Sequence, residues 1–384
     1  MSGPLHGYRI LEIAGLGAAP YCGMMLADMG AEVIRIERMP PPPPLPDVLA
    51  RGRRSVALDL KNRDAVAVLM RLVESCDGLI EGFRPGVAER LGFGPELCLE
   101  RHPRLVYGRM TGWGQEGPLA GAAGHDLNYI ALSGCLHAIG RRGDCPPPPL
   151  NLIGDFGGGL LLAYGMVCAL LECKSSGQGQ VVDAAMLDAA ASFMAMFSGF
   201  RHLGMFPEGP GESMLAGAAH FYRTYRTADD RFISIAAIEP DFYRLLIDKL
   251  GLPEDEFLPF GFGGLDRSTD ASAWDALQTR LEQIFASRSR EEWCELLEGS
   301  DVCFAPVLAL SEAPDHPHNR TRGTFIEVGG IEQSAPAPRF SRTSAGVPAA
   351  AAIPGADTRQ VLEEAGFSAA DIDALASAGA VPTD

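Results

Sequence analysis

Length, composition and charge already limit the kinds of protein that this chain can be. At 384 residues it is too long for one ordinary core, so two domains are predicted, and 47% hydrophobic with 21% charged residues is typical of a soluble globular protein. The formal net charge of -17 excludes nucleic acid and anionic membranes as partners over most of the surface, but an anionic ligand can bind where cations are concentrated.

The first 110 residues alternate between short apolar stretches and stretches with helical spacing. Helical spacing predicts helices at Pro20–Met29 and Asp64–Cys76. The apolar stretches predict five strands, at Arg9–Ala14, Val33–Glu37, Ser55–Leu60, Gly78–Glu81 and Leu105–Met110. This alternation predicts an α/β fold with a parallel sheet that is covered by helices on both faces. The proline run Pro40–Pro44 cannot join a helix or sheet interior and predicts an exposed loop.

The most apolar stretch of the chain is Leu160–Leu171, which follows Gly157, Gly158 and Gly159. It is shorter than the roughly 20 residues that are needed to cross a bilayer. We therefore predict a buried helix here and no insertion into a membrane.

A second α/β or α+β block begins near Tyr222. Its predicted strands and helices, in chain order, are Phe232–Ile238, Pro240–Leu250, Trp274–Ala286, Arg290–Leu297 and Val302–Leu308. Asp357–Ala376 again has helical spacing. These patterns predict a large domain over residues 1–200, a small domain over residues 222–310, and a tail, 325–384, that returns to the large domain.

The nine cysteines are scattered and contain no C-x-x-C pair, which argues against a disulfide framework or a zinc knuckle. The N-terminus lacks the basic region and apolar run of a signal peptide. Both observations predict a protein of the reducing cytoplasm.

Three short motifs have functional interpretations that their surroundings do not support. Gly15-Leu16-Gly17 follows a strand and precedes a helix, as in dinucleotide-binding proteins, but Pro20 stands where the third glycine is required, so a tight turn is favoured. Asp315-His316-Pro317-His318 has no further ligand at metal-like spacing, and we predict no metal site. Asp155-Phe156-Gly157 lacks the other kinase motifs.

Two further segments contain groups that can carry protons. His125 lies among small and polar residues ahead of an apolar helix predicted at Tyr129–Leu136. Thirty residues later, Asp155 stands where it would cap the buried helix that follows it. On spacing alone, a structural histidine and an N-cap aspartate are the favoured interpretation.

A family resemblance changes this balance. The chain resembles the class III CoA-transferase superfamily from about Gly7 to Phe367, in segments that include Met25–Ile34, Glu81–Gly86, Gly177–Ala184 and Tyr225–Asp229. Within this superfamily, Gly124–Tyr129 (G-H-D-x-N-Y) and Ala237–Pro240 (A-I-E-P) resemble the α-methylacyl-CoA racemases. Transferases of the superfamily usually have an aromatic residue where His125 stands, and they use the later aspartate as a nucleophile.

The resemblance implies an open Rossmann-like sheet domain with a smaller α+β domain, in an interlocked homodimer whose active site lies at the subunit interface. It implies an acyl-CoA substrate and no metal or organic cofactor. His125 and Asp155 would be the acid/base groups, and Glu239, from the partner subunit, would orient His125. The residues that would bind CoA are Arg38, Leu58, Asp59, Leu60, Lys61, Arg90, Gly124, His125, Asp126, Leu127, Asn128 and Tyr129.

These residue types suit the inversion of a carbon next to a thioester. One group must remove the α-hydrogen from one face of the planar enolate, and another must return a proton to the other face. A histidine can do either near neutral pH. An ordinary aspartate stays ionised, so burial or a proton shared by the pair would have to make Asp155 an acid. A helix start would instead favour its carboxylate, or could stabilise the enolate oxygen.

Two other functions are compatible with these residues. One is a CoA-transferase that uses Asp155 as its nucleophile, and the other is a CoA-binding protein without catalytic activity. The presence of both His125 and Glu239 argues against each. The sequence does not identify the acyl group, since methyl-branched fatty, bile-acid-like and 2-arylpropionyl thioesters are all compatible with it.

Overall fold

A computed structural model describes residues 3–264 and 270–383. They divide between two units. The first contains 3–133, 149–193 and 323–383, and the second contains 134–148 together with the described part of 194–322. The predicted small domain, 222–310, falls in the second unit, which also takes in residues 134–148 from the middle of the predicted large domain.

The first unit is built on a six-stranded parallel sheet in the order β3-β2-β1-β4-β5-β6. Its strands are β1 (Arg9–Ile13), β2 (Glu32–Arg38), β3 (Arg53–Leu58), β4 (Gly78–Glu81), β5 (Val106–Thr111) and β6 (Gln180–Ala185). The predicted parallel sheet is confirmed, and its first five strands end within two residues of the predicted positions. The sixth was not predicted as a strand. It lies at the sheet edge and its first residues are exposed, so it lacks an apolar run.

Helices cover both faces of this sheet. They are α1 (Ala18–Asp28), α2 (Arg63–Val73), α3 (Val87–Leu91), α4 (Pro95–Arg101), α5 (Asp126–Leu132), α6 (Gly157–Ser176) and α7 (Met186–Phe193). One buried cluster joins α1 and α6 to one face of the sheet, and another joins α2 and α4 to the opposite face. Helix α2 begins where the Asn62 side chain accepts a hydrogen bond from the Asp64 backbone, which is a standard N-cap.

Helix α6 is longer than predicted. Together with a π-helical turn at Leu152–Phe156 it forms a helix over Leu152–Ser176, which is long and apolar enough to cross a bilayer by length and composition alone. The prediction that this stretch is too short to do so is therefore wrong. Half of the apolar window is buried inside the protein. Gly157, Gly158 and Gly159 lie inside the helix and allow it to pack closely against α1. A Cβ on Gly159 would lie 2.5 Å from the Ala18 carbonyl oxygen.

The C-terminal tail packs within the first unit. It forms a hairpin of β10 (Phe325–Val328) and β11 (Ile331–Ser334), followed by α14 (Thr358–Glu364) and α15 (Ala369–Ser377). The Asp357 carboxylate accepts a hydrogen bond from the Ser55 backbone at 2.7 Å, which ties the tail to β3. The buried guanidinium of Arg51 binds both the Asp28 carboxylate and the Gln333 side chain.

The second unit has an antiparallel sheet in the order β7-β8-β9. Its strands are β7 (Tyr222–Arg226), β8 (Phe232–Ala236) and β9 (Phe304–Val307), and its helices are α8 (Ala195–His202), α9 (Pro240–Lys249), α10 (Glu254–Phe257), α11 (Trp274–Phe285), α12 (Arg290–Leu297) and α13 (Pro317–Arg322). One buried aromatic and aliphatic cluster fills the space between this sheet and helices α9, α11 and α12.

A histidine lies inside that cluster. His220 is fully buried, and its Nε2 lies 2.6 Å from the hydroxyl of Tyr243. That hydroxyl donates its only proton to the Phe257 carbonyl, so Nε2–H donates to Tyr243. Nδ1 has no partner among the described residues. Burial lowers the pKa of His220 to about 4.

We predict that His220 makes the protein sensitive to acid. Its folded-state pKa lies below that of an unfolded histidine, so its contribution to stability is complete above about pH 6.5 and is lost as the pH falls towards 4. The loss amounts to about 3 kcal/mol of unfolding free energy, at about 1.4 kcal/mol per pKa unit. Urea unfolding at pH 7 and at pH 4.5 measures this loss. Between the two pH values, His220→Phe should lose less unfolding free energy than the parent protein does. His318→Phe, at an exposed histidine, is the control and should lose as much as the parent. Equal losses in all three proteins would contradict the prediction.

Candidate active site

A ligand crevice is expected at the carboxyl ends of β1 and β4. The strand order reverses between these two neighbours, so the loops that follow them diverge, as at other switch points of doubly wound sheets. The loop after β1 contains Gly15 and Gly17, and the loop after β4 begins at Gly82. A Cβ on Gly82 would lie 3.3 Å from the Cβ of Ala19 in the first turn of α1, so the loop after β4 begins close to the start of that helix.

Asp155 lies at this crevice, in the π-helical turn ahead of α6. Its half-buried carboxylate accepts a hydrogen bond from the Asn151 side chain at 3.0 Å. The same carboxylate lies against Gly17, where a Cβ would be only 2.8 Å from Oδ2. Gly17 has a φ of 70° and precedes α1, whose first backbone N–H groups have no partner within the helix. Asp155 therefore lies beside the positive end of α1.

The prediction that Asp155 caps α6 is wrong. Phe156 occupies the N-cap position of α6, and its own side chain makes no capping hydrogen bond. The π-helical turn continues directly into α6, because the Phe156 backbone N–H already reaches the Asn151 carbonyl at 3.3 Å. The carboxylate of Asp155 bonds to Asn151 and faces Gly17, at the start of α1, instead.

His125 stands immediately before α5. The helix begins at Asp126 and ends at Leu132, not at the predicted Tyr129 and Leu136, because His125 is its extended N-cap residue. The His125 backbone N–H donates to the Asn128 side chain at 3.1 Å. The Tyr129 hydroxyl donates to the carbonyl of Gly124, the residue before His125. These contacts hold the backbone of His125 and leave its side chain exposed.

Asp126 connects the two segments. Its side chain is 5% exposed, and its Oδ1 accepts the backbone N–H of Asp155 at 2.7 Å. Burial raises the pKa of Asp126, while hydrogen bonds from the Asp155 and Gly154 backbones act in the opposite direction. The structure thus brings His125 and Asp155 into neighbouring turns, joined through the residue that follows His125.

The predicted CoA-binding residues fall in two places besides this one. Arg38 is exposed at the end of β2, and in the sheet register it pairs with Leu58, whose side chain is buried. The loop after β3 turns at Asp59, whose carboxylate accepts the Lys61 backbone N–H at 3.1 Å. Lys61 is exposed, so two cations lie at the ends of neighbouring strands. Arg90 is exposed on α3, after β4.

Within the segment Gly124–Tyr129, burial separates the side chains. Those of Asp126 and Tyr129 are buried, and Tyr129 packs edge-on against Trp113 at 4.7 Å between ring centroids. Leu127 and Asn128 are exposed. A role for this segment in CoA binding stays a prediction, and it rests on the exposed residues and on the backbone.

Glu239 belongs to the second unit. It is exposed and precedes α9, whose first residue is Pro240. The pKa of Cys303 is raised, mainly by burial of the thiol and also by the negative charge of Glu239. The prediction that it orients His125 from the partner subunit stays a prediction.

Sequence reasoning missed the contact of Gly17 with Asp155. The glycine pair after β1 was interpreted as a turn, and the turn is present. The signal that could have revealed its role is position, because the loop after the first strand of a doubly wound sheet lies at the switch point.

Comparison with known proteins adds to this geometry. Residues 5–358 match the family CoA-transferase family III. The alpha-methylacyl-CoA racemase of Mus musculus is 44% identical over 99% of this chain and 98% of its own length, and that of Homo sapiens is 42% identical over 97% and 96%. A crystal structure of a CAIB/BAIF family protein from Brucella suis has the same fold, with a TM-score of 0.80 and 24% identity over 95% of this chain and 100% of that one.

Proposed function

The chain belongs to CoA-transferase family III, and on that premise we propose that it is an α-methylacyl-CoA racemase. The observation that carries the proposal is the bond between Asp126 and the Asp155 backbone, because it holds two proton-carrying residues, His125 and Asp155, in neighbouring turns at the switch point. The identity of 44% and 42% to racemases over nearly the full chain supports the same activity.

The proposed reaction moves two protons and forms no covalent bond to the enzyme. One of the two side chains takes the α-hydrogen, the electrons move to the thioester oxygen as an enolate, and the other side chain donates a proton to the opposite face. In the reverse direction the roles exchange. An imidazole and a carboxyl group are sufficient for these steps, so we propose that no metal or organic cofactor takes part.

The developing enolate oxygen needs hydrogen-bond donors that are already in place. The helix start beside Asp155 is that of α1, so we assign this role to the backbone N–H groups of Ala18 and Ala19, which follow Gly17 and have no acceptor within the helix. The start of α6 is less suitable, because the backbone N–H groups of Asp155 and Phe156 already have partners.

Loss of either proton carrier should slow inversion strongly. His125→Ala and Asp155→Ala should each slow the interconversion of the two enantiomers of a 2-methylacyl-CoA by at least about 10²-fold, the usual effect of a lost acid or base. Chiral separation of the product measures the rate. The control is His137→Ala, at an exposed histidine outside the site, which should leave the rate unchanged.

A trapping experiment can distinguish the proposed racemase reaction from a CoA-transferase reaction. A transferase would use Asp155 to form an acyl anhydride, which hydroxylamine traps, and it would pass CoA to a second acid. Mass spectrometry after mixing with acyl-CoA and hydroxylamine in heavy water separates the two reactions. A hydroxamate on Asp155 without deuterium at the α-carbon would overturn the racemase proposal. Deuterium at the α-carbon without an acyl acceptor supports it.

The CoA part of the substrate is proposed to lie along the exposed cations at the carboxyl ends of β2 and β3. Arg38 and Lys61 concentrate positive charge there on an acidic protein, and CoA carries several phosphates. Arg38→Ala should raise KM several-fold with little change in kcat, because such binding is equal in ground and transition states. Arg101→Ala, exposed on α4, is the control. A collapsed kcat at unchanged KM would assign Arg38 to the chemistry instead.

We also propose that two copies of the chain associate through α6. Leu160, Tyr164, Val167 and Leu171 are spaced four, three and four residues apart, so they form one apolar stripe, and all are exposed in the single chain. A second copy would cover this stripe. In the dimer, Glu239 of one copy would accept a hydrogen bond from His125 of the other and hold the tautomer that transfers the proton.

Charge in the stripe should separate the copies. The double variant Tyr164→Asp, Leu171→Asp should sediment as a monomer and lose racemase activity, whereas Leu45→Asp, at an exposed leucine outside the stripe, should stay dimeric and active. Analytical ultracentrifugation and the chiral assay give the two readouts. A fully active monomer would show that no residue of a second copy is needed.

The remaining proposals concern partners and location. The acidic surface disfavours nucleic acid. One side of α6 packs in the core of the first unit and a second copy would cover the other side, so we propose no membrane insertion. No cysteine of the described residues forms a disulfide, which is typical of a reducing compartment, so we propose a cytoplasmic location.

A further inference from the structure

We propose that Asp126 is a positioning residue for the racemisation, which holds Asp155 at a set distance from His125 and does not contact CoA through its side chain. The inference rests on the proposed function and deepens it. The segment Gly124–Tyr129 then serves mainly to hold the two proton carriers in position.

The first argument is burial. The Asp126 side chain is 5% exposed, whereas its neighbours His125 and Leu127 are exposed. A carboxylate that is removed from water in this way needs internal hydrogen-bond donors. Its Oδ1 obtains such a donor from the backbone of the turn that carries Asp155 and lies 2.7 Å from the Asp155 nitrogen, whereas Oδ2 is buried without a partner among the described residues.

The second argument is that the backbone N–H groups of the turn require hydrogen-bond acceptors. The first N–H groups of a helix have no partner in the helix itself, and Asp155 lies in the first turn of the helix over Leu152–Ser176. Asp126 supplies that missing acceptor from another segment. It also contacts the preceding residue closely, since a Cβ on Gly154 would lie 2.6 Å from Asp126 Oδ1. The glycine at 154 lets the carboxylate reach the backbone.

The third argument is sequence adjacency. Asp126 directly follows His125, whose backbone is held by Asn128 and, through Gly124, by Tyr129. A shift of Asp126 would therefore move Asp155 relative to His125. Two groups that act on opposite faces of one planar carbon must keep their separation, and an error of about 1 Å can cost about 10²-fold in rate.

The experiment compares Asp126→Ala with Asp126→Asn. Alanine removes the acceptor, so kcat should fall by about 10²-fold while KM stays within about 2-fold. Asparagine keeps an amide oxygen for the Asp155 N–H, so it should recover most of the lost kcat. Asp64→Ala, an exposed carboxylate on α2, is the matched control and should behave as the parent protein.

A second readout does not depend on activity. Hydrogen exchange measured by mass spectrometry should show faster exchange of the peptide that contains the Asp155 amide in Asp126→Ala, and not in Asp126→Asn. If the parent protein does not racemise its substrate, the proposed function fails, and the exchange result still tests the contact.

Three outcomes would overturn the inference. A raised KM at unchanged kcat in both variants would make Asp126 a CoA contact. Unchanged kcat and KM in Asp126→Ala would show that the contact has no role in turnover. A loss in Asp126→Asn as large as that in Asp126→Ala would show that the acceptor oxygen is not what matters.

Discussion

The hydrogen bond from the Asp155 backbone to the Asp126 carboxylate turns an edge of the sheet into a site. The parallel sheet brings its loops to a common edge, but it does not set the distance between side chains on different loops. This bond joins residues 29 positions apart in the chain and links the start of α5 to the turn ahead of α6. His125 on one side and Gly17 on the other take their places around it.

Close backbone approach is the second constraint, and glycines make it possible. Gly159 lets α6 pack against the Ala18 carbonyl, Gly17 makes room for the Asp155 carboxylate, and Gly154 makes room for Asp126. Each is a place where a larger residue would push the elements around the candidate site apart. The site is therefore built on the helix that forms much of the core, not on a free loop, which suits a reaction that needs fixed distances.

Much of this could be predicted from the sequence, and what failed has physical reasons. Buried parallel strands are apolar runs, so five of them were visible, whereas the exposed edge strand β6 was not. The apolar stretch alone was predicted as a helix, whereas Gly157, Gly158 and Gly159 ahead of it form the first turn of α6 and allow close packing. The capping role predicted for Asp155 was wrong, because a π-helical turn has no sequence signature and the acceptor of its backbone N–H comes from Asp126. Glu239 was linked to His125 by resemblance alone, since the two residues belong to different units.

The buried guanidinium of Arg51 has a consequence for the order in which the chain folds. It binds Asp28 near the start of the chain and Gln333 and Ser334 near its end. A buried charge that lacks part of its partners costs several kcal/mol. The first unit therefore cannot complete its packing until residue 334 has left the ribosome. Residues 194–322 of the second unit are continuous and finish synthesis earlier, so the inserted part of the protein is available to fold before the part that surrounds it in the sequence.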